Sequence, residues 1–171
     1  MPSDSSAIAI LLSLFDRAYD RRSWHGPNLR GSLRGISAAE AAWRPIGAGH
    51  SVWEIAVHAA YWKYIVLRAL TGGKRGAFGR RGSNWFALPP DPSEADWKAD
   101  LALLEATHRT LRGAIRRVDA RTLERPIPGK KTSRAELISG VAAHDLYHAG
   151  QIQLIKRMMP SRREGASGRG R

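Results

Sequence analysis

The stretch 144-HDLYHAGQIQLIKR-157 places two histidines four residues apart inside an apolar helical repeat. Leu137, Val141, Ile152 and Ile155 recur around it at the helical period, so His144 and His148 share the face that these aliphatic side chains turn toward a core. Such a face ordinarily takes Leu or Ile. A neutral imidazole carries one donor and one acceptor, and both need partners once water is removed. The helix opens at the capping box 133-SRAE-136 and runs to about residue 159, just before Pro160. Residues four apart on a helix stand about 6 Å apart at Cβ, which lets two imidazoles converge on one metal ion at about 2.0–2.1 Å from each ring nitrogen.

Three further segments carry the same period, and the chain reads as all-α. The first runs from about residue 5 to residue 22, with a stripe of Ile8, Leu11, Leu12, Phe15 and Tyr19 and with Asp4 placed to cap it. The second opens at the capping box 51-SVWE-54 and continues to about residue 70, where Gly72 and Gly73 stop it. The third follows Pro92, with Ser93 and Asp96 in capping-box register and a stripe of Trp97, Leu101, Leu104, His108, Leu111 and Ile115. Two long connections separate these helices. Residues 24–50 include a short helix introduced by 37-SAAE-40, and residues 71–92 are rich in Gly and Pro. Such lengths suit crossovers over the end of a bundle, or the lining of a site.

A chain of 171 residues, 43% of them hydrophobic, supports one domain, taken as residues 1–160, followed by a basic tail at 161–171 that is expected to be disordered. It has no cysteine, which excludes a disulfide framework, thiolate ligation and a cysteine nucleophile. Any metal must be held by His, Asp or Glu. No apolar run approaches the roughly 20 residues that span a bilayer, so the expectation is a cytoplasmic protein with no membrane partner. The net charge of +13 and pI near 11.1 raise nucleic acid as a partner. Much of that charge sits in 72-GGKRGAFGRRGS-83 and 160-PSRREGASGRGR-171, while Arg112, Arg116, Arg117 and Arg121 read as one solvated helix face. A non-enzymatic helical module that binds nucleic acid or another polyanion is therefore the less favoured alternative.

A third imidazole comes from the second helix, where His58 shares a face with Ile55, Trp62 and Ile65, one turn after Glu54. Three histidines leave open positions for water or substrate, and they suit zinc or nickel. Glu54 and Gln151 are the candidate partners for the far ring nitrogens, which need a hydrogen bond to fix tautomer and orientation. Asp145 reads as a salt-bridge residue, and Gly150 as a point of close approach by a neighbouring element. His108 belongs with the core of the third helix, and His50 with a loop. His25, in 24-WHGPN-28, is a candidate substrate contact. Trp53, Trp62, Trp85 and Trp97 serve either as core or as pocket wall, with Trp85 and Phe86 the candidates for a lid. Arg80 and Arg81 would meet an anionic substrate.

Together, 51-SVWEIAVHAAYW-62 and 144-HDLYHAGQIQLIKR-157 resemble the DinB-like superfamily of damage-inducible, YfiT-type metal-binding proteins, which are distinct from the translesion polymerase of the same name. The stretches 38-AAEAAWRPIGAGHSVWE-54 and 84-NWFALPPDPSEADW-97 extend the resemblance over nearly all of the chain up to about residue 159. It implies a four-helix bundle with two long crossover connections. It also implies one divalent metal held by His58, His144 and His148, and a homodimer. Members of the family include transferases that use bacillithiol, mycothiol or glutathione, and a thiol-dependent isomerase. The function implied is metal-dependent thiol S-transfer to an electrophilic small-molecule substrate, the metal lowering the pKa of a low-molecular-weight cosubstrate thiol. This is how a chain without cysteine would do sulfur chemistry. A hydrolase that activates water at the same metal is the alternative.

Overall fold

Four serines begin helices by the same device. Ser37, Ser51, Ser93 and Ser133 each accept from the amide three residues on, and the acidic side chain there (Glu40, Glu54, Asp96 or Glu136) accepts from the serine's own amide. Each box satisfies two amides that the helix itself leaves without partners. In the computed structural model, which describes residues 4–160 apart from Ala48, Arg75 and Ala77, six α-helices follow. They are α1 (Asp4–Tyr19), α2 (Leu29–Leu33), α3 (Ala38–Ala42), α4 (Val52–Thr71), α5 (Glu94–Arg116) and α6 (Arg134–Met158), with one 3₁₀ turn at Ala120–Thr122. The described residues form no strand beyond two isolated bridges, and none of their helices is long and apolar enough to cross a membrane. The Asp4 side chain, expected as a cap, and the 161–171 tail lie outside the described part.

Two local features depart from the periodicity. Helix α1 stops at Tyr19 and not near residue 22, because the amides of Asp20 and Arg21 both return to the Asp16 carbonyl. Helix α2 was not foreseen: five residues are too few to show a period, and its start depends on the Asn28 side chain, which accepts from the Gly31 amide at 2.9 Å. At the other end of α4, Gly72 takes the left-handed conformation, φ 68°, that closes a helix and costs glycine little.

Helix α4 packs against both α5 and α6, while α1 packs against α6 and α5, and the buried apolar residues form two clusters, one holding Trp53 and Trp97 and the other Phe15 and Leu111. Residues 51–60 are all buried, which makes the first half of α4 the axis of the molecule. Trp53 and Trp97 fill the space between α4 and α5. Their indole N–H groups reach Asp100 Oδ2 at 2.7 Å and the Ile36 carbonyl at 2.9 Å, so both aromatics are core residues with no polar atom wasted. Phe86, expected at a lid, is buried against Tyr61 and Phe78. His108 is also in the core, stacked on Phe15 and Tyr19 at ring separations of 4.4 and 3.7 Å. Gly150 is exposed, and a Cβ added there would meet nothing within 4 Å, so the expected close approach does not occur.

Lys63 of α4 and Asp145 of α6 form an ion pair in which both side chains are 0% exposed. The ammonium contacts both carboxylate oxygens and lies 5.3 and 5.2 Å from the ring centres of Phe15 and Tyr19. Burial pushes the Asp145 carboxyl up, to about 6, and pushes Lys63 down; each partner's charge opposes the shift of the other. Removing one partner leaves a buried charge without compensation. Lys63→Met is expected to lower unfolding stability by about 3–5 kcal/mol, and Lys63→Met combined with Asp145→Leu to recover most of that loss in urea titrations. Equal losses in the single and double variants would contradict a coupled pair.

Candidate metal centre

Helix α6 presents His144 and His148 one turn apart, and their Nε2 atoms lie 3.0 Å from each other. His58, from the enclosed half of α4, brings its Nε2 to 3.1 Å from that of His144. One ligand atom from each of the three lies within 4.8 Å of the other two. His58 and His148 are 5% and 3% exposed, and His144 is half-buried.

The outer nitrogens settle which tautomers are present. His58 Nδ1 lies 2.9 Å from the Asn84 carbonyl oxygen, which can only accept, so Nδ1 donates and Nε2 keeps a bare lone pair. His148 Nδ1 lies 2.7 Å from Gln151 Oε1, and the Gln151 amide nitrogen donates to the Tyr147 hydroxyl at 3.1 Å. His148 therefore also turns a bare Nε2 inward. A proton on His144 Nε2 could serve one of these lone pairs and would leave the other facing nothing. A cation satisfies all three, and nitrogens about 3 Å apart suit ligation at about 2.0–2.1 Å. In that arrangement the His144 proton sits on Nδ1, a buried atom with no partner among the described residues. The donor set fits a divalent metal that accepts imidazole.

Burial, the largest cause in each case, holds all three imidazoles below their ordinary 6.5: His144 at about 3, His148 at about 4, and His58 lowered as well. Mutual repulsion and the charge of Lys63 add to the shift at His144 and His148, while the Gln151 hydrogen bond partly offsets it at His148. The three rings are thus neutral at physiological pH, the form that binds metal.

The loop before α5 completes the wall. Asn84 adopts the left-handed conformation, φ 63°, which Asn tolerates better than most residues. Its side-chain oxygen accepts from Trp62 Nε1 at 3.0 Å while its carbonyl takes His58, so one residue ties the loop to α4 twice. Trp85 follows, stacked almost parallel between His58 at 3.8 Å and His50 at 3.4 Å, with its edge toward His148.

The other anticipated site residues separate into near and far. Gln151 lies on His148 and Trp85 on His58. Glu54 does not reach His58; its carboxylate caps Ser51, pairs with Arg44 and lies 4.0 Å from His50 Nδ1, and the Asn84 carbonyl takes the position intended for it. Arg80 is bound to Asp100 at 3.0 Å and to the Ala87 carbonyl, so it supports the loop and is not held out for a substrate. Arg81 is exposed and lines neither cavity at the histidines. His25 is exposed beside Trp24 and borders a cleft with Leu14 and Leu146, on the opposite face of α6. Asn84, His50 and Tyr147 had not been anticipated. The only signal for Asn84 was an asparagine in a Gly-rich loop, a position that admits positive φ.

Two cavities meet the centre. One of about 550 Å³ is lined by His148, His50, Trp85, Tyr147 and Gln151, and a smaller one of about 210 Å³ runs between α4 and α6 beside His144, Trp62 and Lys130. A wider cleft of about 1100 Å³, bordered by α2 and α5, touches none of the three imidazoles.

Because folding holds the imidazoles below 6.5, the unfolded chain takes up protons first as the pH falls. The stability present above pH 6.5 is then lost progressively toward pH 4 and 3. The thermal midpoint of the metal-free protein is expected to drop across this window, and to drop less in His144→Asn. A midpoint unchanged down to pH 4 would contradict buried neutral rings.

No curated protein and no solved structure gave a significant match to the chain. The sequence profile of the DinB superfamily does match, over residues 22–152, a span that contains all three histidines, both capping boxes of the helices that carry them and the Asn84 loop. With well over half of its length covered by that profile, the chain belongs to the DinB superfamily.

Proposed function

We propose that this chain is a divalent-metal enzyme in which His58, His144 and His148 hold zinc or nickel, and that it transfers a low-molecular-weight thiol to electrophilic small molecules. Its scaffold is a four-helix bundle of α1, α4, α5 and α6, crossed by the connections at 24–50 and 71–92. The observation that carries this reading is the convergence of three Nε2 atoms, two of them fixed as bare lone pairs by Asn84 and Gln151. The metal supplies a lowered pKa for the cosubstrate thiol. Asn84 and Gln151 orient the rings that hold it, and Trp85 with its two stacked imidazoles excludes water along one side. In the transfer, the S–C bond forms as the leaving group departs with its electron pair, and the thiol proton passes to solvent.

Hydrolysis is less well supported, for a specific reason. A metal-dependent hydrolase generally places a carboxylate or comparable base near the activated water. Here the carboxylates on the two ligand-bearing helices are otherwise engaged: Glu54 with Arg44 and the Ser51 amide, Asp145 with Lys63, and Glu136 with Ser133.

Elemental analysis by plasma mass spectrometry is expected to find about one metal per chain, lost in each of His58→Ala, His144→Ala and His148→Ala while helical circular dichroism persists. Gln151→Leu is expected to weaken metal affinity about 10–100-fold, because the His148 tautomer is no longer held. Thiol consumption in the presence of an alkyl or aryl halide should require the metal and stop on chelation. Full metal content in all three alanine variants would overturn the assignment of the site, and a metal-loaded protein inert toward every thiol tested would overturn the transfer reaction.

A further inference from the structure

The cavity of about 550 Å³ on the His148 side has a property that the composition of the chain makes unexpected. Among the described residues that line it, none is Asp, Glu, Lys or Arg, in a protein whose formal charge is +13. Its volume falls within the range of about 300–1,000 Å³ typical of small-molecule sites. Exposed large apolar side chains are gathered at its mouth: Ile46, Tyr147, Leu154 and Met158 all stand exposed and all line it, as Ile10, Leu14 and Trp24 do at the separate His25 cleft. An apolar rim of this kind around a polar floor marks a binding surface, since burying it releases water from carbon. The floor is polar only at His148, at Gln151 and at the Tyr147 hydroxyl to which Gln151 donates. The wall carries the His50 ring and the edge of Trp85, whose two faces are covered by His50 and His58.

From this we infer that the cavity binds an uncharged, predominantly apolar molecule, with its reactive end toward His148 and its apolar body against the edge of Trp85, Leu154 and Met158. Charge complementarity argues for the neutral class. In the metal-free chain an anion would find no cation among the described lining residues, and a cation would find no carboxylate. Either ion would lose hydration without compensation. The inference deepens the reading above, on which it rests for identifying the occupant as the electrophile; the binding itself needs no metal and no thiol.

The test uses the full chain, metal-free and zinc-loaded, with two fluorescent probes that differ by one charged group: neutral N-phenyl-1-naphthylamine and its sulfonated counterpart, 1-anilinonaphthalene-8-sulfonate. Titrations are run at about 0.5 M salt, where long-range attraction of an anion to a basic chain is screened. The neutral probe is expected to bind saturably at about one per chain in both forms and, in the metal-free chain, at least roughly tenfold more tightly than the sulfonate. Leu154→Glu, at a residue 60% exposed and so tolerant of substitution, should weaken the neutral probe by a similar factor, whereas Ile10→Glu, at an exposed apolar residue bordering the His25 cleft, should leave it unchanged. Unsaturable binding, equal affinity of the metal-free chain for the two probes, or indifference to Leu154→Glu would each overturn the inference. Because the metal-free chain is titrated as well, loss of the metal assignment would leave this result standing, and loss of this result would leave the metal assignment standing.

Discussion

The enclosure of the first half of α4 is the constraint from which the rest follows. Ten consecutive residues, 51–60, are buried, so no polar group on that half-helix can use water as a partner. Glu54 must find its partners within the protein, and it takes the Ser51 amide and Arg44, which draws the 43–50 segment onto the helix. His58 needs partners at both ring nitrogens and takes Asn84 from one loop and His144 from α6. Lys63, one turn beyond, takes Asp145 of the same α6. Each polar residue on the axis thus dictates where another segment lies, and the segments so placed make up the site.

Two kinds of buried polar group coexist within a few turns of α4, and they are handled oppositely. Lys63 and Asp145 are a matched pair whose charges offset each other in the absence of solvent. The three histidines are kept uncharged by burial and turn lone pairs toward one point. The three imidazoles therefore carry a local excess of acceptor capacity, and no carboxylate joins them in the cluster among the described residues. A divalent metal held by three neutral imidazoles retains its full double charge, which makes it a stronger polariser of a bound thiol than one held by carboxylates.

His58, His144 and His148 are legible in the sequence because helical spacing alone decides which residues share a face, and each sits among Leu, Ile or Val at that spacing. The long helices and their capping boxes are legible for the same reason: the signal is local. Glu54 shows where local reasoning stops. It lies one turn from His58 and is a good candidate by spacing, but a capping carboxylate is already committed at the helix start. Arg80 and His25 show a second limit, since charge and chain proximity do not reveal that Asp100, 20 residues on, claims the one, or that α6 turns its other face to the second. Asn84 acts on His58 through a backbone carbonyl, which has no side-chain signature, and only the tolerance of asparagine for a left-handed backbone hints at its position. Lys63 sits in a run of aromatic residues, where a lysine would ordinarily reach outward to water, and only the three-dimensional neighbourhood brings it to Asp145.

His58 and His144 are separated by 86 residues, and their meeting requires α4 and α6 to be docked. Contacts so distant along the chain form after the local helices, because the entropy of closing the intervening loop must be met first. A metal ion consequently finds no template in the early, partly helical chain and contributes little to the rate of folding. Its effect falls on the reverse process. By tying together elements that separate on the way to the transition state, a metal bound at the proposed site would slow unfolding, and persistence would be gained as a kinetic property.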